Sequence, residues 1–282
     1  MATDALVLNR LPAPSGEVAL EPGDQRPRVY FGDTAIDQLD FDQAVERIRE
    51  FLASGRPRQV VTANLDFLSI AERNPEFRAA INAADLAVAD GMPLVWLSRL
   101  RGEPLPERVT GVELVDACCE IAAESGLGVF LMGAGLGVAQ AAAERLRERH
   151  PELRVAGAYT PPMGPMKRRE EARLIRTIQN AAPAFLFVAL GAPRQDFWIR
   201  DHLAELNVPV AMGVGCTLDL LAGTTSRAPE WMQAAGLEWA YRLVREPRRL
   251  WRRYLVNDLP LFCRLLLSSA RASRAESVGA VA

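Results

Sequence analysis

Gly128-Val129-Phe130-Leu131-Met132-Gly133-Ala134-Gly135-Leu136-Gly137 is a short apolar run closed by a glycine turn. A helical pattern follows to about His150, and a second β-rich run, Val155–Tyr159, follows that. A strand, a tight turn, a helix of roughly 10–15 residues and another strand make one crossover unit of a parallel sheet. The pattern continues in both directions. Downstream come a helix over Arg169–Asn180, a strand over Phe185–Leu190, a helix over Arg194–Leu206 and a strand over Val208–Met212. Upstream, Val29–Phe31, Gln59–Thr62 and Leu86–Ala89 read as strands. Asp40 with Gln43, Asn74-Pro75 and the T-x-x-E capping box of Thr110 and Glu113 each open a helix, the last running to about Glu124. The fold class read from this alternation is α/β: a Rossmann-like, mostly parallel sheet with helices on both faces.

Composition narrows the function classes. The chain has 282 residues, 49% hydrophobic and 24% charged, which excludes a disordered or low-complexity protein. No apolar run approaches the length of a membrane span, and the N-terminus lacks a basic start followed by an apolar core. A cytosolic protein is therefore expected. The four cysteines, Cys118, Cys119, Cys216 and Cys263, include no C-x-x-C pair, and His150 and His202 are the only histidines. No metal site is expected from such spacing, and the cysteines read as reduced thiols. The chemistry must rest on carboxylates, arginines and backbone amides.

The charge is uneven. The net charge is −2, yet Arg242 to Arg264 holds seven arginines against Glu246 and Asp258. After Gly223 helices follow one another without strands. Three segments are expected: residues 1–28 as a mobile tail, 29–225 as the α/β domain, and 226–282 as a basic helical appendage. Arg242, Arg245, Arg249 and Arg252 recur at helical spacing, with Pro247 positioned to split the helix in two. Trp239, Leu243, Leu250, Trp251, Tyr254, Leu255, Leu259 and Phe262 interleave with them. Such a pattern fits a helix lying in a membrane interface or a packing helix with a solvated face. Scarce lysine and the acidic net charge argue against nucleic acid.

In open parallel sheets ligands bind beyond the carboxyl ends of the strands. The residues there are Thr62 and Asn64, Asp90-Gly91, Gly133 to Gly137, Gly191 to Asp196, and Gly213 with Gly215. Glycines and helix N-termini at that rim suit phosphate, so a nucleotide or sugar nucleotide is expected. The Gly133 turn is spaced G-x-G-x-G and departs from the dinucleotide fingerprint; a plain tight turn explains it equally. Asp90 can accept a proton from a hydroxyl, or be a simple Asp-Gly turn. Arg108 precedes a capped helix start, where it would favour phosphate or stand solvated.

Five stretches in order resemble one family. They are Thr62-Ala63-Asn64-Leu65-Asp66; Ala84-Asp85-Leu86 through Asp90-Gly91-Met92-Pro93; Glu107-Arg108-Val109-Thr110-Gly111; Gly191-Ala192-Pro193-Arg194-Gln195-Asp196; and Gly213 to Asp219 with Ala222-Gly223 and Arg227-Ala228-Pro229. The closing segment, Glu238-Trp239-Ala240-Tyr241-Arg242 through Glu246-Pro247-Arg248-Arg249, fits as well. Over about residues 29 to 260 the chain resembles the WecG/TagA/CpsF glycosyltransferases.

That resemblance implies an inverting, metal-independent transferase, without a cofactor, peripheral at the cytoplasmic membrane face. Its donor would be a UDP-sugar carrying N-acetylmannosamine, its uronic acid or glucose. Its acceptor would be a polyprenyl-diphosphate-linked sugar in cell-surface or exopolysaccharide synthesis. The resemblance makes Asp90 the general base, with Arg108 beside it, and places Thr62, Asn64, Gly133, Gly191, Gln195 and Asp219 around the donor. It assigns Arg242, Arg245, Arg248, Arg249, Arg252 and Arg253 to the acceptor diphosphate and the membrane. It also implies a homo-oligomer. Two other readings are carried beside it: an NAD(P)-dependent Rossmann-type oxidoreductase built on the Gly133 turn, and a non-catalytic membrane-associated binding module.

Overall fold

Phe185-Leu186-Phe187-Val188-Ala189 contains no polar side chain, and the fold shows why. In the computed structural model, which describes residues 26–162, 164 and 166–267, this run is a central strand buried on both faces. Phe185 and Phe187 face one helical layer, while Leu186 and Val188 face the other. Alternation of side chains across a pleated strand requires this division.

The strands are β1 (Arg28–Phe31), β2 (Thr34–Asp37), β3 (Arg58–Ala63), β4 (Leu86–Ala89), β5 (Gly128–Gly133), β6 (Arg154–Tyr159), β7 (Phe185–Ala189) and β8 (Val210–Gly213). The last six form one sheet in the order β4-β3-β8-β7-β5-β6, with every pairing parallel. β3 and β8 lie side by side in it although they stand far apart in the chain. The helices of the α/β part are α1 (Phe41–Ser54), α2 (Leu65–Arg73), α3 (Pro75–Ala83), α4 (Met92–Leu100), α5 (Gly111–Glu124), α6 (Val138–Arg149), α7 (Arg168–Ala181), α8 (Arg194–Leu206) and α9 (Thr217–Leu221). One core lies under α1, α5, α6 and α9, and α7 and α8 cover part of the opposite face. A third cluster joins α2, α3 and α4 to the β1–β2 hairpin.

Local chemistry fixes the element starts. Asp40 and Gln43 form a complete capping box on α1, and Asn74 caps α3 with Pro75 in its first turn. Thr110 caps α5, but Glu113 does not complete the expected box. Its carboxylate accepts from the Thr110 hydroxyl (2.7 Å) and from Arg227 (2.9 Å), a partner the local spacing could not reveal. β2, α2 and α4 are further elements that the periodicity did not announce. The hairpin is anchored by buried Asp37, which accepts from Arg26 (3.0 Å), Arg28 (2.8 Å) and the Ala87 amide (2.7 Å). Cys118 and Cys119 are buried in α5, and all four cysteines are free thiols.

Beyond Gly223 come α10 (Glu230–Ala234), α11 (Glu238–Arg245), α12 (Pro247–Trp251) and a π-helical stretch, Arg252–Asp258, with α-helix again over residues 259–267. Pro247 divides α11 from α12, as its place in the sequence predicts. The π-helical stretch packs on α2: Arg253 Nε lies 3.2 Å from Asp66 Oδ2, and Arg73 donates to Asn257 at 3.1 Å. Leu261 is buried in the cluster of Phe77 and Leu94, so part of the appendage's apolar surface faces the protein. Among the described residues no helix is long and apolar enough to cross a membrane. Of the expected mobile tail, residues 1–25 lie outside the described residues, as do residues 268–282 of the appendage.

Candidate active site

The carboxyl ends of β3, β4, β7 and β8 open into a cleft of about 710 Å³, closed on one side by α11, α12 and the π-helical stretch. A volume of that order suits a ligand of nucleotide size. Thr62, Asn64, Asp90, Arg108, Gly191, Gln195, Asp219, Arg242, Arg249 and Arg253 all line it. The structure therefore brings together most of the residues singled out from the sequence.

Asp90 stands just past β4, its amide bonded to the Ala63 carbonyl at the end of β3 (2.7 Å). Its Oδ2 accepts from the first amide of α5, Gly111 (3.3 Å). A side chain at Gly111 would sit 3.3 Å from Thr217 Oγ1, 3.5 Å from Thr62 Oγ1 and 3.6 Å from Asp90 Oδ2, so three oxygens converge there. Burial raises the Asp90 carboxyl to about 6. The Gly111 amide, Arg108 and Arg242 pull it back, while Glu238 pushes with burial. Asp90 is thus an ionised base at neutral pH with more proton affinity than a surface aspartate.

Thr62 donates to the Gly213 carbonyl (3.1 Å), fixing the β3 and β8 ends together. Asn64 caps α2 by accepting from Asp66 and Phe67, and lies 3.5 Å from Arg253 Nη2. Gln195 lines the cleft and also braces its rim. Its Oε1 accepts from the Gly191 amide (3.1 Å) and the Gly215 amide (3.0 Å), locking two rim loops to each other. Asp196 lies fully buried beside it, and burial lifts its carboxyl to about 7. Gly213 must lack a side chain here, since a Cβ would fall 2.7 Å from Gln195 Nε2 and 2.8 Å from Asp196 Oδ1. Asp219 accepts from Thr224; burial raises its carboxyl, and Arg249 lowers it.

Gly133, Arg245, Arg248 and Arg252 do not line the cleft. Gly133 has φ +111°, and a Cβ there would fall 2.4 Å from the Ala189 carbonyl oxygen. Close packing of β5 on β7, rather than a ligand, requires this glycine; its neighbour Ala134 reaches the cleft. Gly133→Ala is therefore expected to destabilise the fold by about 2–4 kcal/mol, read as a lower urea midpoint at unchanged slope. Arg245 donates to Ser226 (3.1 Å) and stacks over Tyr241, while Arg248 and Arg252 are exposed.

Several cleft residues escaped the sequence reading. Arg108 Nη1 donates to Glu238 Oε2 at 3.2 Å, across 130 positions of chain. Arg227 reaches both Glu113 and Glu238. Asp66 and buried Asp258 line the cleft beside Arg253. Burial, and then Asp66, raise the Asp258 carboxyl to about 7. Glu238 and Arg227 fall in motif stretches already quoted, which was the only signal available for them. Among the described residues no group of three or more His, Cys, Asp or Glu is placed to hold a metal ion.

Relatives include the N-acetylglucosaminyldiphosphoundecaprenol N-acetyl-beta-D-mannosaminyltransferases of Staphylococcus aureus strains MW2, MRSA252 and NCTC 8325 / PS 47. Each is 33% identical to this chain over 231 residues, covering 79% of this chain and 88% of the relative. The sequence profile of the Glycosyl transferase WecG/TagA/CpsF family matches residues 29–275. A cleft at the strand ends, lined by Asp90 and several arginines, thus lies in a chain that belongs to the WecG/TagA/CpsF family of glycosyltransferases.

Proposed function

We propose that this glycosyltransferase moves a sugar from a UDP-sugar to a polyprenyl-diphosphate-linked sugar, with inversion and with Asp90 as the base. The relatives' names favour N-acetylmannosamine as the sugar moved and N-acetylglucosamine as the acceptor. The observation that carries the reading is Asp90: a carboxylate raised to about 6, at a strand end, facing Arg108 and Arg242 across a nucleotide-sized cleft.

In the proposed step the acceptor hydroxyl oxygen attacks the anomeric carbon from the face opposite the nucleotide. The bond from that carbon to the diphosphate oxygen breaks, its electron pair leaving with UDP, and the hydroxyl proton passes to Asp90. Negative charge grows on the departing diphosphate. Arg108, Arg242, Arg249 and Arg253 line the same cleft and supply positive charge and N–H donors for it, so the step as proposed calls on no metal ion. The amides at the rim and Asp219 are left for the nucleoside. The nicotinamide reading is not favoured, because its glycine turn is a packing device against β7.

A thermal-shift series tests the donor. UDP at 100 times its dissociation constant should stabilise the protein by about 2.7 kcal/mol without added metal, while NAD and NADP should not. Stabilisation by a nicotinamide cofactor alone would overturn the reading.

Access to a lipid-borne acceptor is proposed to come from the appendage. Trp231, Trp239, Val244, Trp251, Leu255 and Val256 are exposed there, beside exposed Arg248 and Arg252. Exposed apolar and basic side chains interleaved along the appendage suit a peripheral contact with anionic lipid at the inner membrane face. Replacing Trp251 and Val256 together by Glu is expected to lower binding to vesicles containing anionic phospholipid by about tenfold or more. Unchanged co-sedimentation would place the contact elsewhere.

A further inference from the structure

Four charges from three segments close a chain of contacts beside Asp90. Arg108 donates to Glu238 at 3.2 Å, and Arg227 Nε lies 4.0 Å from the other Glu238 oxygen. Arg227 also donates to Glu113 at 2.9 Å, and Glu113 accepts from Thr110 at 2.7 Å. Thr110 caps α5, whose first amide, Gly111, donates to Asp90. Glu238 is the carboxylate that α11 contributes to this chain, and the side chains of Glu238 and Arg108 are only 23% and 14% exposed. A pair so placed in a cleft wall is screened far less than a surface pair.

The groups facing Asp90 come from three places. Arg108 comes from the loop before α5, Arg242 and Glu238 from α11, and the Gly111 amide from α5. The two arginines and the amide favour the Asp90 anion, and Glu238 opposes them. With Glu238 absent, Asp90 would face two cations with no counter-charge from α11, and Arg108 would lose the acceptor that fixes its planar fork.

We propose that Glu238 is a positioning residue of the transfer: it holds Arg108 against the cleft wall and balances the arginines facing Asp90. This rests on the proposed function above, in which Asp90 takes the acceptor proton. Glu238 acts through Arg108 and Asp90 and needs no contact with the reacting atoms.

The test is Glu238→Gln, which keeps the shape and removes the charge. The acid limb of kcat/KM is expected to move to lower pH by about half a unit, with plateau kcat about tenfold lower: at most about threefold because the base is weaker, and the rest because Arg108 loses its acceptor. Glu238→Asp, which keeps the charge, should return the limb towards its wild-type position. A uniform loss at every pH, with the limb unmoved in Glu238→Gln, would overturn the inference and leave Glu238 a purely structural contact. A second readout does not depend on turnover: ¹³C-NMR titration of the Asp90 carboxyl in the full chain, assigned with Asp90→Asn. If Glu238→Gln lowers that titration point while no UDP-sugar yields product, the coupling of Glu238 to Asp90 stands, and the proposed function falls together with the role in transfer built on it. If transfer occurs and neither the limb nor the titration moves, the inference falls and the proposed function stands.

Discussion

Asp90→Asn is expected to lower kcat by about 10²–10⁴-fold, the range removed with a general base, while UDP binding stays within about twofold. Asparagine keeps the shape and can still accept from the Gly111 amide, so the loss would belong to the proton and not to the fold. The pH profile has a definite sign. Asp90 must be ionised to act, so wild-type kcat/KM should fall about tenfold per unit as the pH drops below about 6. Stability should run the other way. Burial raises the folded carboxyl above its ordinary value of 3.8, so its contribution is fully present below that value and is lost as the pH rises through about 6. Asp90→Asn is therefore expected to raise the Tm at pH 8 and to flatten its pH dependence. A base held ready at a cost in stability is a common bargain at active sites. Full activity in Asp90→Asn would end its role as base.

The second large effect is expected at Arg108. Arg108→Ala should lower kcat by about 10²–10³-fold, as when one donor to a developing charge is removed. It also strips Glu238 of its 3.2 Å partner and leaves a carboxylate facing Asp90 without Arg108 between the two charges' effects. The acid limb of kcat/KM should then move to higher pH, opposite to the shift expected for Glu238→Gln. Arg108→Lys keeps the charge but not the planar fork, so the limb should recover more than kcat does. The two sets of pH profiles, measured side by side, check this directly. An unmoved limb in Arg108→Ala would show that the two side chains are not electrically coupled.

The sequence carried most of the sheet because β4, β5, β7 and β8 are buried along their whole length and therefore read as unbroken apolar runs. Leu86–Ala89 and Arg194–Leu206 have the bounds expected of them. What it did not carry has physical causes. β2 buries a threonine and an aspartate at its two ends, so no apolar run marks it. α2 starts directly at Asn64, a residue whose capping of the helix hides behind its place in the cleft. α4 is so apolar that no polar face marks it as a helix. Nothing in Arg252–Asp258 signals a π-helical stretch, yet that stretch places Arg253 over Asp66 and Asn64.

The site divides in the same way. Asp90, Thr62 and Asn64 were legible because strand ends define the rim of a parallel sheet. The helical spacing of Arg242, Arg245, Arg249 and Arg252 implied one shared face. The break at Pro247 instead leaves Arg242, Arg249 and Arg253 in the cleft, with Arg248 and Arg252 outside. The Glu238–Arg108 pair joins residues 130 apart, and no local pattern could show it.

The account's central claim is most directly tested by mass-spectrometric assay of the full chain with UDP-N-acetylmannosamine and a short-chain prenyl-diphosphate-linked N-acetylglucosamine, without added metal. The predicted result is an acceptor heavier by one N-acetylhexosamine residue, one UDP released per transfer, and a glycosidic bond of inverted anomeric configuration. An unmodified acceptor across a panel of UDP-sugars, or a product of retained configuration, would contradict it.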